Sequence, residues 1–191
     1  MAYPPTLETK RLLLRPYDLK DAADIFEYAG DVETTRYMSW DTHKNIYETL
    51  DFLNGMRIRY ENNTTLDYAF VLKSSGKVIG GGGCFDTGEF PHTAKIGYIL
   101  NKAYWGQGLA VEAMSAVFDY LFNTLKVHRI EAYHYAENEK SGKVMVKLGM
   151  SYEGTKPDGA FVRGAYKTLK FYGILNFQFS AVKTPFNFVS G

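Results

Sequence analysis

The 191-residue chain has one cysteine, Cys84. It cannot close an internal disulfide and suits a reducing compartment. No uninterrupted apolar run approaches the roughly 20 residues that a membrane helix needs. Charge of one sign is also missing: Lys and Arg total 22, Asp and Glu 21, for a formal net charge of +1. That balance lacks the strong positive field of a nucleic-acid binder, so neither nucleic acid nor membrane is an expected partner. There is no low-complexity linker, charge block or internal repeat, and a single domain over residues 1–191 is the simplest organisation. The opening Met1-Ala2-Tyr3-Pro4-Pro5 has neither the basic nor the apolar region of a signal peptide, so a cytoplasmic address is expected. The histidines at 43, 92, 128 and 134 show neither H-x-H nor H-E-x-x-H spacing, and no metal site is expected. Aromatic residues, in contrast, are abundant: 15 Tyr, 13 Phe and 2 Trp. They suit a dense core, an aromatic-lined pocket or an association surface.

Arg11 to Arg15 reads as a strand stopped by Pro16, with Asp18 as N-cap of a helix whose face is Ala22, Ile25, Phe26 and Ala29. Ile46, Leu50, Leu53 and Tyr60 predict a second helix from about His43 to Asn62. Leu66–Leu72 and Val78–Phe85 read as strands joined by a turn at Lys73–Lys77, and Ala94–Leu100 as a third. The run Gly80–Gly83 inside a strand marks a bulge or a close backbone approach. Leu109, Ala113, Val117, Leu121 and Leu125 give the clearest helix. Arg129–Tyr135 reads as a strand, Glu139–Leu148 as a short helix, and Phe161–Phe177 as one or two final strands. The fold class is α+β, or α/β in three layers, with helices packed on a mixed sheet.

The segment Tyr98–Glu112 carries the strongest chemical signal. A strand ends, a glycine turn follows, and a long helix begins. The first helical amides lack intrahelical partners and lie at the positive end of the helix dipole. Gly106 and Gly108 would let that backbone curl around a phosphate. A plain helix start with a glycine turn reads equally well from this segment alone. A Walker loop fails, because Gly76-Lys77 is followed by Val78 and lacks the earlier glycine. A dinucleotide fingerprint departs at Val111 and stays a minor alternative.

Four dispersed motifs resemble the GNAT acetyltransferase superfamily, and within it the RimJ/RimL-like branch. Trp105-Gly106-Gln107-Gly108-Leu109-Ala110 is similar to the pyrophosphate loop of the superfamily, and Tyr104 to Ala113 follows the branch string Y-W-G-K-G-Y-A-x-E-A. Asn138 and Ser141 with Lys147-Leu148-Gly149-Met150 match N-x-x-S followed by K-L-G-F. Glu8 to Arg15 and His128 to Ala132 complete the likeness, which spans about residues 7–175 and leaves 181–191 as an extension. The resemblance implies a mixed sheet of about seven strands with about four helices, and acetyl-CoA in a splayed gap between the strands ending near Leu100 and Tyr135. Its pyrophosphate would rest on Gly106, Gln107, Gly108, Leu109 and Ala110. Its pantetheine would pair with backbone at Ile99 and Leu100, and Asn138 would hydrogen-bond that arm. Without the flanking motifs, Asn138 is simply a good helix cap.

The reaction implied is direct attack of an amine on the thioester. Met145 stands where many relatives place a tyrosine acid, so Ser141 is the residue expected near the sulfur; a first-turn serine satisfied by backbone is the plainer reading. Lys95 stands where relatives often carry a carboxylate base, which leaves water, Asp86 or Glu131 for that role. Tyr37, Met38, Trp40 and Phe85 are expected to line the acceptor pocket, though each also suits core packing. Lys140, Lys143 and Lys147 read as a solvated stripe, one of which could meet the 3′-phosphate of CoA. The expected function is transfer of acetyl from acetyl-CoA to a primary amine, a protein N-terminus or a small molecule, by a monomer or homodimer. A non-catalytic acetyl-CoA-binding module, motivated by Lys95, is the alternative.

Overall fold

The computed structural model describes residues 4–86 and 92–181, with Asp86, Ser180 and Ala181 described by backbone alone. Expectations for 182–191, with Pro185, Phe186 and Phe188, lie outside the described residues. Eight strands form one sheet: β1 (Leu7–Glu8), β2 (Leu12–Arg15), β3 (Leu66–Leu72), β4 (Lys77–Asp86), β5 (Thr93–Leu100), β6 (Arg129–Tyr135), β7 (Ser151–Val162) and β8 (Ala165–Leu175). Their order is β1-β2-β3-β4-β5-β6-β8-β7. Every neighbouring pair is antiparallel except β5 with β6. The helices are α1 (Ala22–Ala29), α2 (Val32–Thr35), α3 (Ile46–Glu61), α4 (Leu109–Asp119), α5 (Glu139–Lys147) and α6 (Asn176–Ala181).

Local chemistry sets the helix ends. The Asp18 carboxylate accepts from the Lys20 amide and Asp21 accepts from the Asp18 amide, a capping box on the turn that leads into α1. The Asn45 side chain accepts from the amides of Tyr47 and Glu48 to start α3. The helix expected through Leu125 is α4, prolonged by one π-helical turn at Tyr120–Thr124. Strand alternation sends side chains to two cores. Leu12, Leu14, Tyr68, Phe70, Ile96 and Ile130 pack under α4 and α5. Ala69, Val71 and Val78 pack against Ile25, Tyr28 and Ala29 of α1 and Leu53 of α3. The sheet therefore lies between two helical layers.

Two expectations about the C-terminal part need correction. The strand expected from Phe161 begins ten residues earlier, because β7 starts at Ser151. Its first eight residues carry no apolar alternation and are almost all exposed; backbone pairing with β8 holds them, interrupted by register shifts at Tyr152/Gly154 and Lys156/Ala160. Phe177 is not strand but lies in α6, since β8 ends at Leu175. The short β1, α2 and α6 raise the counts above the expected seven strands and four helices, for segments of two, four and six residues carry almost no periodicity.

One buried carboxylate ties the N-terminal strands to α4. Glu112 is 2% exposed and accepts from Thr9 Oγ1, the Arg11 amide and Arg11 Nε, each at 2.7 Å. Arg11 Nη1 also donates to the Gln107 carbonyl at 3.0 Å, so the same guanidinium clasps the glycine turn. Burial opposes ionisation of Glu112, but the three hydrogen bonds outweigh it and hold the carboxyl below its ordinary value. A depressed carboxyl stabilises the fold above the unfolded-state value and loses that contribution as pH falls through the folded one. Glu112→Gln is expected to lower stability by about 2–4 kcal/mol at pH 7. Urea titrations at pH 7 and pH 3.5 should show the gap between wild type and variant narrowing at the lower pH.

Candidate active site

β5 and β6 pair in parallel at only three positions, Thr93–Arg129, Ala94–Ile130 and Lys95–Glu131. Beyond Lys95 the strands diverge. The β6-facing edge of Ile96–Leu100 then has no strand partner, which is unfavourable for backbone polar groups unless water or a ligand satisfies them. A cavity of about 630 Å³ occupies the opening. Its walls include Ile99 and Tyr98 of β5, Tyr133 and Tyr135 of β6, Asn138, Ser141 and Met145 of α5, and Tyr17, Tyr28 and Phe52 from the α1/α3 side. The cavity thus reaches both faces of the sheet.

Gly81 and Gly82 of β4 line it, and the glycine run marks close approach. A Cβ on Gly81 would stand 1.6 Å from the Tyr17 hydroxyl, and one on Gly80 2.4 Å from the Ile99 carbonyl oxygen. Any larger residue at Gly81 would expel Tyr17 from the wall.

On the α5 side, Asn138 caps the helix, its side-chain oxygen accepting from the Ser141 amide at 3.4 Å, while the residue also lines the cavity. Ser141 faces Tyr98 across the gap: the Tyr98 hydroxyl lies 2.9 Å from Ser141 Oγ and donates to the Ser141 carbonyl at 3.0 Å. Burial pushes the Tyr98 phenol far above its ordinary value, and the Ser141 hydrogen bond offsets this only in part, so Tyr98 stays protonated. Tyr98 is a site residue that the sequence reading passed over. Its signal was the period-2 alternation with Ile96, which aims it at α5. His134, another omission, gives its Nδ1–H to the Tyr135 carbonyl at 2.8 Å, and its buried Nε2 has no hydrogen-bond partner among the described residues. A Cβ on Gly142 would lie 2.7 Å from that Nε2, so only glycine lets α5 dock here.

Tyr37, Met38, Trp40 and Phe85, the four residues expected in an acceptor pocket, all reach the cavity wall. The segment carrying the first three is stapled from the β7–β8 turn. Arg163 donates to Asp41 Oδ1 at 3.0 Å, to the Trp40 carbonyl at 2.5 Å, to the Arg36 carbonyl at 3.3 Å and to the Thr35 carbonyl at 3.5 Å.

The glycine turn lies next to the cavity, not in its wall. Gly106 and Gly108 both have φ of +76°, a backbone conformation that favours glycine, and Gly108 caps α4. A Cβ on Gly106 would meet nothing within 4 Å, and one on Gly108 only Arg11 Nη2 at 3.7 Å. The space over the turn is open and bordered by a guanidinium. Leu109 turns its side chain into the core, Ala110 is half-buried, and the exposed Gln107 side chain donates to the Ala103 carbonyl. Trp105 Nε1 donates to the Leu100 carbonyl at 2.7 Å, and Lys140 Nζ lies 4.4 Å from the Trp105 ring centre. Leu100 is buried and outside the cavity wall, and its carbonyl is engaged by Trp105. Ile99 is the member of that pair that reaches the cavity.

Of the candidate bases, Glu131 is not in the wall. Lys95 sits at the last paired position, opposite Glu131 on one side and Asp86 on the other. Glu131 accepts from Arg129 Nε at 2.7 Å. Neither Lys95 nor Glu131 lines the cavity, and the Asp86 side chain lies outside the described residues.

Residues 11–151 match the acetyltransferase (GNAT) domain model. The chain belongs to the GNAT acetyltransferase family. It is 30% identical over 178 residues to the uncharacterized N-acetyltransferase p20 of Bacillus licheniformis, covering 92% of this chain and 98% of that one. A crystal structure of a GNAT-family acetyltransferase from Bacillus anthracis superposes with a TM-score of 0.81 at 28% identity, covering 91% of this chain and 99% of that one. Over a shorter stretch of 76 residues, 40% of this chain and 39% of its relative, it is 32% identical to the [ribosomal protein uS5]-alanine N-acetyltransferase of Escherichia coli. Membership makes this chain an acetyl-CoA-dependent N-acetyltransferase, with acetyl-CoA and an amine as co-substrates. The sheet splay, the open glycine turn and the Arg11 guanidinium fit an extended, anionic pantetheine nucleotide.

Gly106→Ala tests the turn without adding a clash. A left-handed alanine costs about 1–2 kcal/mol of stability. Calorimetry is expected to show acetyl-CoA affinity falling tenfold or more as the turn relaxes. Unchanged affinity in the folded variant removes the turn from the cofactor site.

Proposed function

We propose that this N-acetyltransferase acts in the manner of the RimJ/RimL-like branch, acetylating a primary amine by direct attack with both substrates bound. The branch reading is supported by the string Tyr104 to Ala113. The structural observation carrying the proposal is a cavity that passes through the sheet at the β5–β6 splay, with an open glycine turn beside it and an aromatic chamber under α1 and α3.

In this reading the amides of Gly106 to Ala110 hold the pyrophosphate. Backbone near Ile99 and the cap residue Asn138 hold the pantetheine arm, while Leu100 supports that edge through Trp105. When bound, acetyl-CoA supplies an activated acyl group and a thiolate leaving group. The amine enters among Tyr37, Met38, Trp40 and Phe85. This apolar, aromatic surrounding disfavours an ammonium and so favours the neutral, nucleophilic amine. The chamber thereby does part of the work of the carboxylate that Lys95 replaces. In this reading the Tyr98 phenol turns its proton from the Ser141 carbonyl to Ser141 Oγ, 2.9 Å away, which frees the serine's own proton for developing charge on sulfur. Tyr98 supplies from β5 the phenol that Met145 does not supply from α5.

Thiol release from acetyl-CoA against a panel of amines and peptide N-termini tests the reading. Binding of acetyl-CoA with no release for any acceptor would make the chain a binding module instead. Ser141→Ala is expected to lower kcat by about tenfold to a hundredfold, with little change in the KM for acetyl-CoA, since one hydrogen bond to developing charge is worth about 1.5–3 kcal/mol. Tyr98→Phe should lower kcat by a smaller factor. Adding it to Ser141→Ala should lower kcat no further, because residues that act as a unit are non-additive.

A further inference from the structure

Among the described residues the cavity wall carries one carboxylate, and it has no part in the mechanism above. Asp67 of β3 alternates with Leu66 and Tyr68, whose side chains enter the core under α4, and so points to the α1/α3 side. There it forms part of the cavity wall. Thr65 Oγ1 donates to Asp67 Oδ2 at 3.0 Å, while Oδ1 has no hydrogen-bond donor among the described residues. Arg59 also lines the cavity, but no ion pair within 4 Å joins it to Asp67. Enclosure by protein pushes the carboxyl above its ordinary value, with Thr65 and Arg59 opposing. Tyr17, Tyr28 and Phe52 line the same cavity, the Tyr17 and Phe52 rings edge to face at 5.4 Å. An enclosed carboxylate with a spare oxygen favours a cation.

The sheet register gives the backbone separation between Asp67 and the edge of β5 at the gap. Asp67 is opposite Gly83, and Gly83 is opposite Gly97 at the gap. Two strand spacings separate them, roughly 10 Å. Gly83 places no side chain between them. With the carboxylate and the near nitrogen each standing over its own strand on this face, subtracting a charge-assisted hydrogen bond of about 2.8 Å leaves roughly 7 Å between two nitrogens, the span of an alkyl chain of about five carbons.

We propose that the chamber selects acceptors with a second cationic nitrogen, alkyl diamines of about five carbons, holding the distal ammonium on Asp67 while the near nitrogen sits at the gap. The inference rests on the acetyl-transfer reading of the same cavity. The division of labour is physically coherent. The distal nitrogen stays charged against a carboxylate, while the near one loses its proton among apolar walls.

The test compares 1,5-diaminopentane with pentylamine. In calorimetry on protein saturated with CoA, the diamine is expected to bind at least tenfold more tightly. In thiol-release assays its kcat/KM should exceed that of pentylamine by at least tenfold, and a series of diamines should peak near five carbons. Asp67→Asn should bring both ratios towards one, through the KM of the diamine, with CoA affinity as the check on folding. Asp67→Glu keeps the charge on a longer arm and should move the optimum to a shorter diamine. Equal affinities in the wild type would overturn the proposal. So would an Asp67→Asn variant that loses diamine and monoamine turnover equally, for Asp67 would then serve the reacting nitrogen or the fold. Should Asp67→Asn not fold, an unshifted optimum in Asp67→Glu overturns it as well. Tight diamine binding without turnover of any amine would sink the acetyl-transfer reading alone, whereas turnover without diamine preference would sink this one alone.

Discussion

Three residue pairs of parallel ladder, and then none, are the constraint on which this molecule turns. A parallel pair normally continues as long as both strands do, because each unmade backbone hydrogen bond in a buried place is expensive. Here β5 and β6 part after Lys95 and Glu131 although both run on for four or five residues. The packing of α5 holds them apart. Gly142 lets the helix sit directly on His134, and Tyr98 spans the gap to Ser141. The open edge is then available to an extended ligand that pairs with it as a strand would.

The other parts serve that opening. The glycines of β4 clear side chains from the floor, so that Tyr17 can lie on Gly81. Glu112 binds Thr9 and Arg11 to the first turn of α4, and Arg11 in turn holds the Gln107 carbonyl. Two motifs more than a hundred residues apart therefore form one contact network, whose exposed end is the glycine turn. Arg163 does the equivalent for another segment, tying Thr35–Asp41 to the β7–β8 turn through three carbonyls and one carboxylate. The glycine turn and the Thr35–Asp41 segment are each held by one arginine.

The departures from the family pattern acquire a physical meaning in this setting. Met145 fills its space as a core residue, 2% exposed, and the phenol arrives from the facing strand. Lys95 lies at the closed end of the gap, in line with Asp86 and Glu131, away from the cavity wall. In the function proposed above, the largely aromatic wall of the chamber takes over part of the work of a base at that place. Asp67, far from any motif, is the carboxylate that the chamber retains.

The sequence by itself determined the elements with strong periodicity and the motifs with fixed spacing. Helix α4, strands β3 to β6 and the glycine turn were legible because their signals are local: a 3.6 or 2-residue period and a glycine-rich turn. Asn138, Ser141, Tyr37, Met38 and Trp40 were singled out through family likeness, and Phe85 as a further aromatic candidate. Only the tertiary structure decided the rest. The polar strand Ser151–Ala160 exists because β8 pairs with it, a long-range hydrogen-bond ladder that leaves no hydrophobic trace. Tyr17, Asp67, Tyr98 and Arg163 come from four separate parts of the chain, and even the alternation that aims Tyr98 at α5 does not tell it from a core residue. What makes them a site is sheet register and the splay of two strands, which are properties of pairing at a distance.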